Sequence, residues 1–187
     1  MTIELPLYAE ITGFWREAGP KKWFAKDDAF DDELRVRFSA LHFAAARGEL
    51  ADWGETAEGS LALLILLDQI PRNLFRGSAH AFATDPMARA VAEAALDRDQ
   101  HLAAEPILRP FFYLPFEHSE LISDQDCAVV LFEAHARETG DQDSLKWAYL
   151  HRELIERFGR FPHRNACLGR ESTEDELLYL KEGGFKG

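Results

Sequence analysis

Apolar residues in this chain return mostly at three- and four-residue intervals, while the alternation of Val, Ile and Thr that marks a half-buried strand is scarce. That period predicts an all-α fold. A first helix is expected to open near Pro6 and stop before Gly19-Pro20, with Leu7, Ile11, Phe14 and Trp15 on its buried stripe. A second, from about Asp28 to Arg47, carries Phe30, Leu34, Phe38, Leu41 and Ala45 at helical spacing and ends at Gly48. Its opening aspartates suit the positive end of the helix dipole. From Thr56 to Ile70 nearly every position is apolar, which predicts a central helix covered on all sides, ended or kinked by Pro71.

Further along, Thr84-Asp85-Pro86 sets a cap before a proline, so an alanine-rich helix is expected over Met87 to Arg98. Pro106 to Phe116 holds three prolines and four aromatic rings and is expected to run as short turns. Ser123 to Asp126 resembles a capping box, opening a helix that stops before Gly140. The short connection to the next helix, Gln142 to Phe158, implies an antiparallel pair. Thr173 and Glu176 stand at capping-box spacing and open a last helix that stops at Gly183-Gly184.

The length of 187 residues fits a single helical domain over 1–187, large enough to bury a core without metals or disulfides. Fourteen Phe and four Trp supply that core. The longest apolar run, Leu61 to Leu67, falls well short of the roughly 20 residues that cross a bilayer, so no membrane partner is expected. The opening residues show no secretory pattern, and two cysteines make no disulfide framework; a soluble cytoplasmic setting is the expectation.

Charge changes the picture. The net charge of -12 argues against a nucleic-acid partner, because phosphate binding needs a broad basic face. Within this acidic chain, 69–77 and 157–170 contain no acidic residue, and both group proline, arginine and asparagine. Such segregation makes a local field that attracts anions. The candidate ligand-binding residues are Arg72, Asn73 and Arg76 in the first segment and Arg160, His163, Arg164, Asn165 and Arg170 in the second. Guanidinium forks match carboxylate or phosphate, and asparagine orients a ligand without changing the charge. The structural alternative is that arginines brace helix ends and asparagines serve tight corners. Carboxylates from the acidic run Asp27 to Glu33 could also answer some of these arginines internally.

His118 and Glu120 join the candidate set as pocket partners, although His118-Ser119-Glu120 cannot form a catalytic triad among adjacent residues. His151 shares a helical face with Trp147, Leu154 and Phe158, so its imidazole is expected inside, either as a satisfied core group or as one that titrates near neutrality. His135 stands similarly beside Leu131 and Phe132. The spacings needed for a di-iron bundle, a His-Glu-x-x-His zinc site or a glycine-rich phosphate loop are lacking, so no metal and no cofactor is expected. Catalytic residues stay unassigned.

Leu67 to Arg76, Phe82 to Asp85, Pro115 to Glu120 and Arg157 to Asn165, with Trp23-Phe24 and Leu168 to Thr173, carry a resemblance over nearly the whole chain. The chain resembles a mainly bacterial family known as domain of unknown function nine hundred and twenty-four. The resemblance implies antiparallel helices in a tetratricopeptide-like stack and lends no reaction, substrate or cofactor. The leading expectation is a cleft lined by Arg, His and Asn for a small anionic molecule or peptide terminus. The alternatives are a protein-interaction scaffold and an enzyme using His118 or His163 as acid or base.

Overall fold

A computed structural model describes residues Tyr8 to Lys186, and among them every regular element is helical. The helices are α1 (Tyr8–Ala18), α2 (Pro20–Trp23), α3 (Asp28–Ala46), α4 (Ala57–Leu64), α5 (Ile70–Leu74), α6 (Asp85–Asp97), α7 (Gln100–Ala103), α8 (Pro110–Glu117), α9 (Ile122–Thr139), α10 (Gln142–Phe158) and α11 (Glu174–Lys181). The expected start at Pro6 and the inward Leu7 lie outside the described residues. The chain forms two compact units. Unit 1 takes the residues up to Arg76 together with His80–Pro115, and unit 2 takes Gly77–Ala79 and the residues from Phe116 onward.

Unit 1 is organised around α4. Residues 59–71 are buried without a break, as a helix apolar on every face requires. Trp15 of α1 is fully buried and stacks on Trp23, whose indole Nε1 donates to the Trp15 carbonyl at 2.7 Å. Phe30, Leu34, Phe38, Leu41 and Ala45 of α3 all face the core, the stripe expected from their spacing. Each buried Phe or Leu of that stripe contributes roughly 1.5–3 kcal/mol.

Pro71 does not end the helical path; the helix widens ahead of it. Residues Ile65–Gln69 form a π-helical turn in which the Ile70 N–H reaches back to the Ile65 carbonyl. This turn, together with the missing N–H of Pro71, frees the carbonyls of Leu66 and Leu67 from the ordinary α-helical ladder. His42 Nδ1 donates to the first at 2.9 Å and the Thr84 hydroxyl to the second at 2.5 Å. The Thr84 side chain is thereby diverted, and α6 begins at Asp85 without the expected side-chain cap.

A second difference concerns Pro106 to Phe116. After a 3-10 turn over Pro106–Leu108 the chain forms a helix, α8, with Pro115 inside it. Phe111, Phe112, Tyr113 and Phe116 are all buried. Their combined burial outweighs the ~3 kcal/mol that an interior proline costs.

Unit 2 is built on α9 and α10, packed along their lengths. Gly140, at φ +82°, ends α9 in the left-handed conformation, and Asp141 caps α10 by accepting from the Ser144 N–H. The expected capping box at Ser123 is not formed, because α9 starts two residues earlier, at Ile122, with Leu121 in the cap position. Asp126 instead pairs with Arg152 at 2.7 Å, while Gln125 turns inward and is fully buried. The Thr173–Glu176 capping box of α11 forms as expected, with both of its hydrogen bonds present.

Candidate functional site

Each arginine-asparagine corner lies in its own unit, and in both an asparagine and an arginine converge on one buried acid. In unit 1, Asn73 Nδ2 donates to Asp31 Oδ1 at 2.7 Å, and Arg76 sets its fork on the same carboxylate at 2.5 and 2.9 Å. Burial pushes the Asp31 pKa up, but the Arg76 and Asn73 hydrogen bonds and nearby positive charge hold it below the ordinary carboxylate range. The acidic run thus does answer an arginine internally, through its one buried aspartate. Arg72 sets its fork on Asp85 at 3.0 and 3.1 Å and lies 3.2 Å from Asp68. Burial opposes its charge, yet the two carboxylates prevail and hold its pKa above the usual value.

The unit 2 corner repeats this logic with longer reach. Arg160 grips Glu176 of α11 at 2.7 and 2.9 Å, and Asn165 Nδ2 donates to the same carboxylate at 3.2 Å. Those hydrogen bonds, led by Arg160, hold the Glu176 pKa down to about 2. Asn165 Oδ1 accepts from Arg170 Nε at 3.0 Å, and Arg170 in turn forks onto Glu120 at 2.6 and 2.9 Å. Glu120 also accepts the Phe161 N–H at 2.8 Å. Burial raises the Glu120 pKa, and these partners more than reverse it. Arg72, Arg76, Arg160 and Arg170 therefore spend bidentate forks on the chain's own carboxylates. Arg157 differs: its guanidinium lies over the Phe158 and Tyr179 rings at 4.6 and 5.7 Å, in an open groove with Arg160 and Thr173.

The second feature of unit 2 is a cluster of imidazoles. His118 follows α8, His151 lies on α10 and His163 on the 3-10 turn Pro162–Arg164. The His118 and His151 ring centres are 6.4 Å apart, and Phe161 packs between the others, 5.4 Å from His151 and 5.6 Å from His163. Beneath His151 lies Glu117, only 3% exposed, its Oε1 2.5 Å from the imidazole Nδ1. The approach is out of line for a directed hydrogen bond, so the contact is one of charge and proximity. Burial, the Arg164 guanidinium and the neighbouring imidazoles push the His163 pKa down to about 3, so the ring is neutral at physiological pH. Arg164 itself is buried, 4.4 Å over the Phe161 ring.

Gln125 fixes this cluster from below. Its amide nitrogen, Nε2, donates to the carbonyls of Glu117 and Ser119, each at 2.6 Å, closing the end of α8 and setting where Glu117 and His118 stand. Ser119 is spent locally, accepting the Leu121 N–H at 3.2 Å. Sequence reasoning named His118, His151 and His163 but missed Glu117 and Gln125; the position of Glu117 directly before His118 was the available signal. His135 is buried apart, 3.9 Å from Asp141. Among the described residues no three His, Cys, Asp or Glu side chains are arranged to hold a metal ion, and no helix is long and apolar enough to cross a membrane.

No curated protein matches the chain. A solved protein of unknown function from Agrobacterium tumefaciens is similar at 53% identity and a TM-score of 0.89, over 94% of this chain and 97% of that one. The model of a family described as bacterial protein of unknown function (DUF924) matches residues 11–184. With nearly its whole length so matched, the chain belongs to that bacterial family of unknown function.

Proposed function

We propose that unit 2 binds a small ligand carrying a carboxylate or phosphate at the cluster of His118, His151 and His163, near the buried Arg164 guanidinium, with His151 as a proton-transfer group. The observation that carries this reading is the Glu117 carboxylate 2.5 Å from His151 Nδ1 in a nearly dry setting. A buried carboxylate beside one imidazole nitrogen favours the tautomer with hydrogen on Nδ1 and leaves Nε2 as the base. His163, neutral and half-buried, offers a donor that adds no charge. Because four arginine forks are committed internally, the imidazole cluster is the better seat for the anionic group. Two cysteines outside any disulfide, Cys127 and Cys167, support a reducing, cytoplasmic setting.

The test follows the histidine imidazole resonances of the full chain by long-range proton-nitrogen NMR during titration with phosphate or acetate at neutral pH. The His151 and His163 signals are expected to move saturably, and His151→Gln to weaken binding at least tenfold, about 1.4 kcal/mol. A response confined to Arg157 and Arg160, or none at the imidazoles, overturns the reading. A second reading, a tetratricopeptide-like interaction scaffold, is favoured by the paired α9 and α10 and by Trp147 and Tyr149, each about half exposed on α10. It gains if the imidazoles stay silent.

A further inference from the structure

The segment after α11 turns back so that Phe185 stands edge-on to both interior imidazoles, with its ring centre 4.7 Å from His151 and 5.0 Å from His163 and interplanar angles of 79° and 90°. Trp147 closes a third side at 5.8 Å. Edge-to-face contact sets the positive rim of one ring against the negative face of the next, which favours an aromatic guest over an aliphatic one.

The turn that delivers Phe185 is specified by sequence. Gly183 has φ +91°, a conformation that side chains resist. At Gly184 any Cβ would come within 2.5 Å of the Tyr179 ring and 2.6 Å of its carbonyl oxygen. The Gly184 N–H donates to that carbonyl at 3.0 Å and the Phe185 N–H to the Tyr179 hydroxyl at 2.8 Å. The tail is thus moored at Tyr179, and Phe185 stays half-buried rather than joining the sealed core. A ring held on a short tether at one mooring is the arrangement of a reversible cover, and the rings it stands against are those of Trp147, His151 and His163.

We infer that Trp147, His151 and His163 form a seat for an aromatic ring, filled here in cis by Phe185, and that a ligand carrying an aromatic ring beside its acid group takes the seat by displacing the tail. The acid half of this inference rests on the function proposed above; the ring seat does not. A tail docked about nine-tenths of the time lowers the apparent affinity of a competing ligand about tenfold.

The experiment compares benzoate with acetate on the full chain, on Phe185→Ala and on Gly184→Ala, which dislodges the tail through Tyr179 without altering the seat. Benzoate is expected to bind both variants about tenfold more tightly than the natural chain, moving the Trp147 indole and His163 imidazole resonances, while acetate affinity stays the same in all three. In the natural chain, saturating benzoate is expected to carry the Phe185 amide resonance toward its random-coil position. Equal benzoate affinity in the three chains, a gain without movement at Trp147, or a Phe185 amide unmoved at saturation overturns the inference. The last result decides the matter even if a variant fails to fold. Imidazoles silent to acetate and phosphate alongside a benzoate gain would remove the anion reading and leave the ring seat standing.

Discussion

A histidine kept neutral by burial and by the Arg164 guanidinium makes stability depend on pH in a definite direction. Above about pH 6.5 the His163 ring is neutral in both folded and unfolded chains. Between there and its folded value of about 3, the unfolded chain takes a proton that the folded one refuses. Stability therefore falls as pH is lowered, by up to about 1.4 kcal/mol per pH unit for one such group. His42 and His101 are shifted the same way by burial and add to the slope. Glu176 acts in a lower window: its depressed pKa gives stability that is complete above about 4.5 and is lost as pH falls toward 2. Urea denaturation across pH should show both. His163→Gln is expected to flatten part of the loss from pH 6.5 down to about 3 and leave the part that Glu176 contributes below 4.5; Glu176→Gln is expected to lower stability at pH 7 and flatten the acid limb. A natural chain equally stable at pH 6.5 and 4.5 would contradict this account of His163.

The widened turn before Pro71 is a defect in one helix repaired by side chains from other parts of unit 1. Leu66 and Leu67 keep buried carbonyls that the helix itself no longer satisfies, and His42 and Thr84 supply the donors. Thr84→Val keeps the shape and removes the hydroxyl, leaving the Leu67 carbonyl without that donor at a cost of about 1–3 kcal/mol. Denaturant titration should show this as a lower midpoint with an unchanged slope; a loss under about 0.5 kcal/mol would mean that another donor replaces the hydroxyl. Much of the element pattern was legible: α3, α10 and α11 follow from apolar spacing and caps, because those signals are local. The π-helical turn, the diverted Thr84 and the inward Gln125 were not, because each answers a carbonyl whose need arises only once the helices are folded. Pro115 misled for a related reason. Local propensity spoke against a helix there, and the burial of four aromatic rings decided for one.

Across the whole molecule, 33 acidic residues face 21 lysines and arginines, and the pairings at the two corners are well shielded from water. The arginines were visible in the sequence, and the acidic run Asp27 to Glu33 stood as a source of partners; which acid meets which arginine was not, because Asp31 stands 45 residues from Arg76 and Glu120 stands 50 from Arg170. A local run free of acids looked like a pool of available positive charge, although distant acids neutralise much of it. What the corners leave behind is an excess of acidic residues at the surface, consistent with the net charge of -12. Repulsion among exposed acids is screened as salt shortens the Debye length from ~30 Å at about 0.01 M to ~8 Å at about 0.15 M. The corner pairs are screened less, since the Arg72 and Asp85 side chains are only 20% and 10% exposed. Sodium chloride raised over that range is therefore expected to raise the Tm by on the order of 2–4 °C, the equivalent of about 1 kcal/mol for a chain of this size. Scanning calorimetry checks it. A Tm that falls instead would mean that exposed pairs such as Arg47–Glu49 and Arg152–Asp126 contribute more to the fold than the surplus of negative charge takes away.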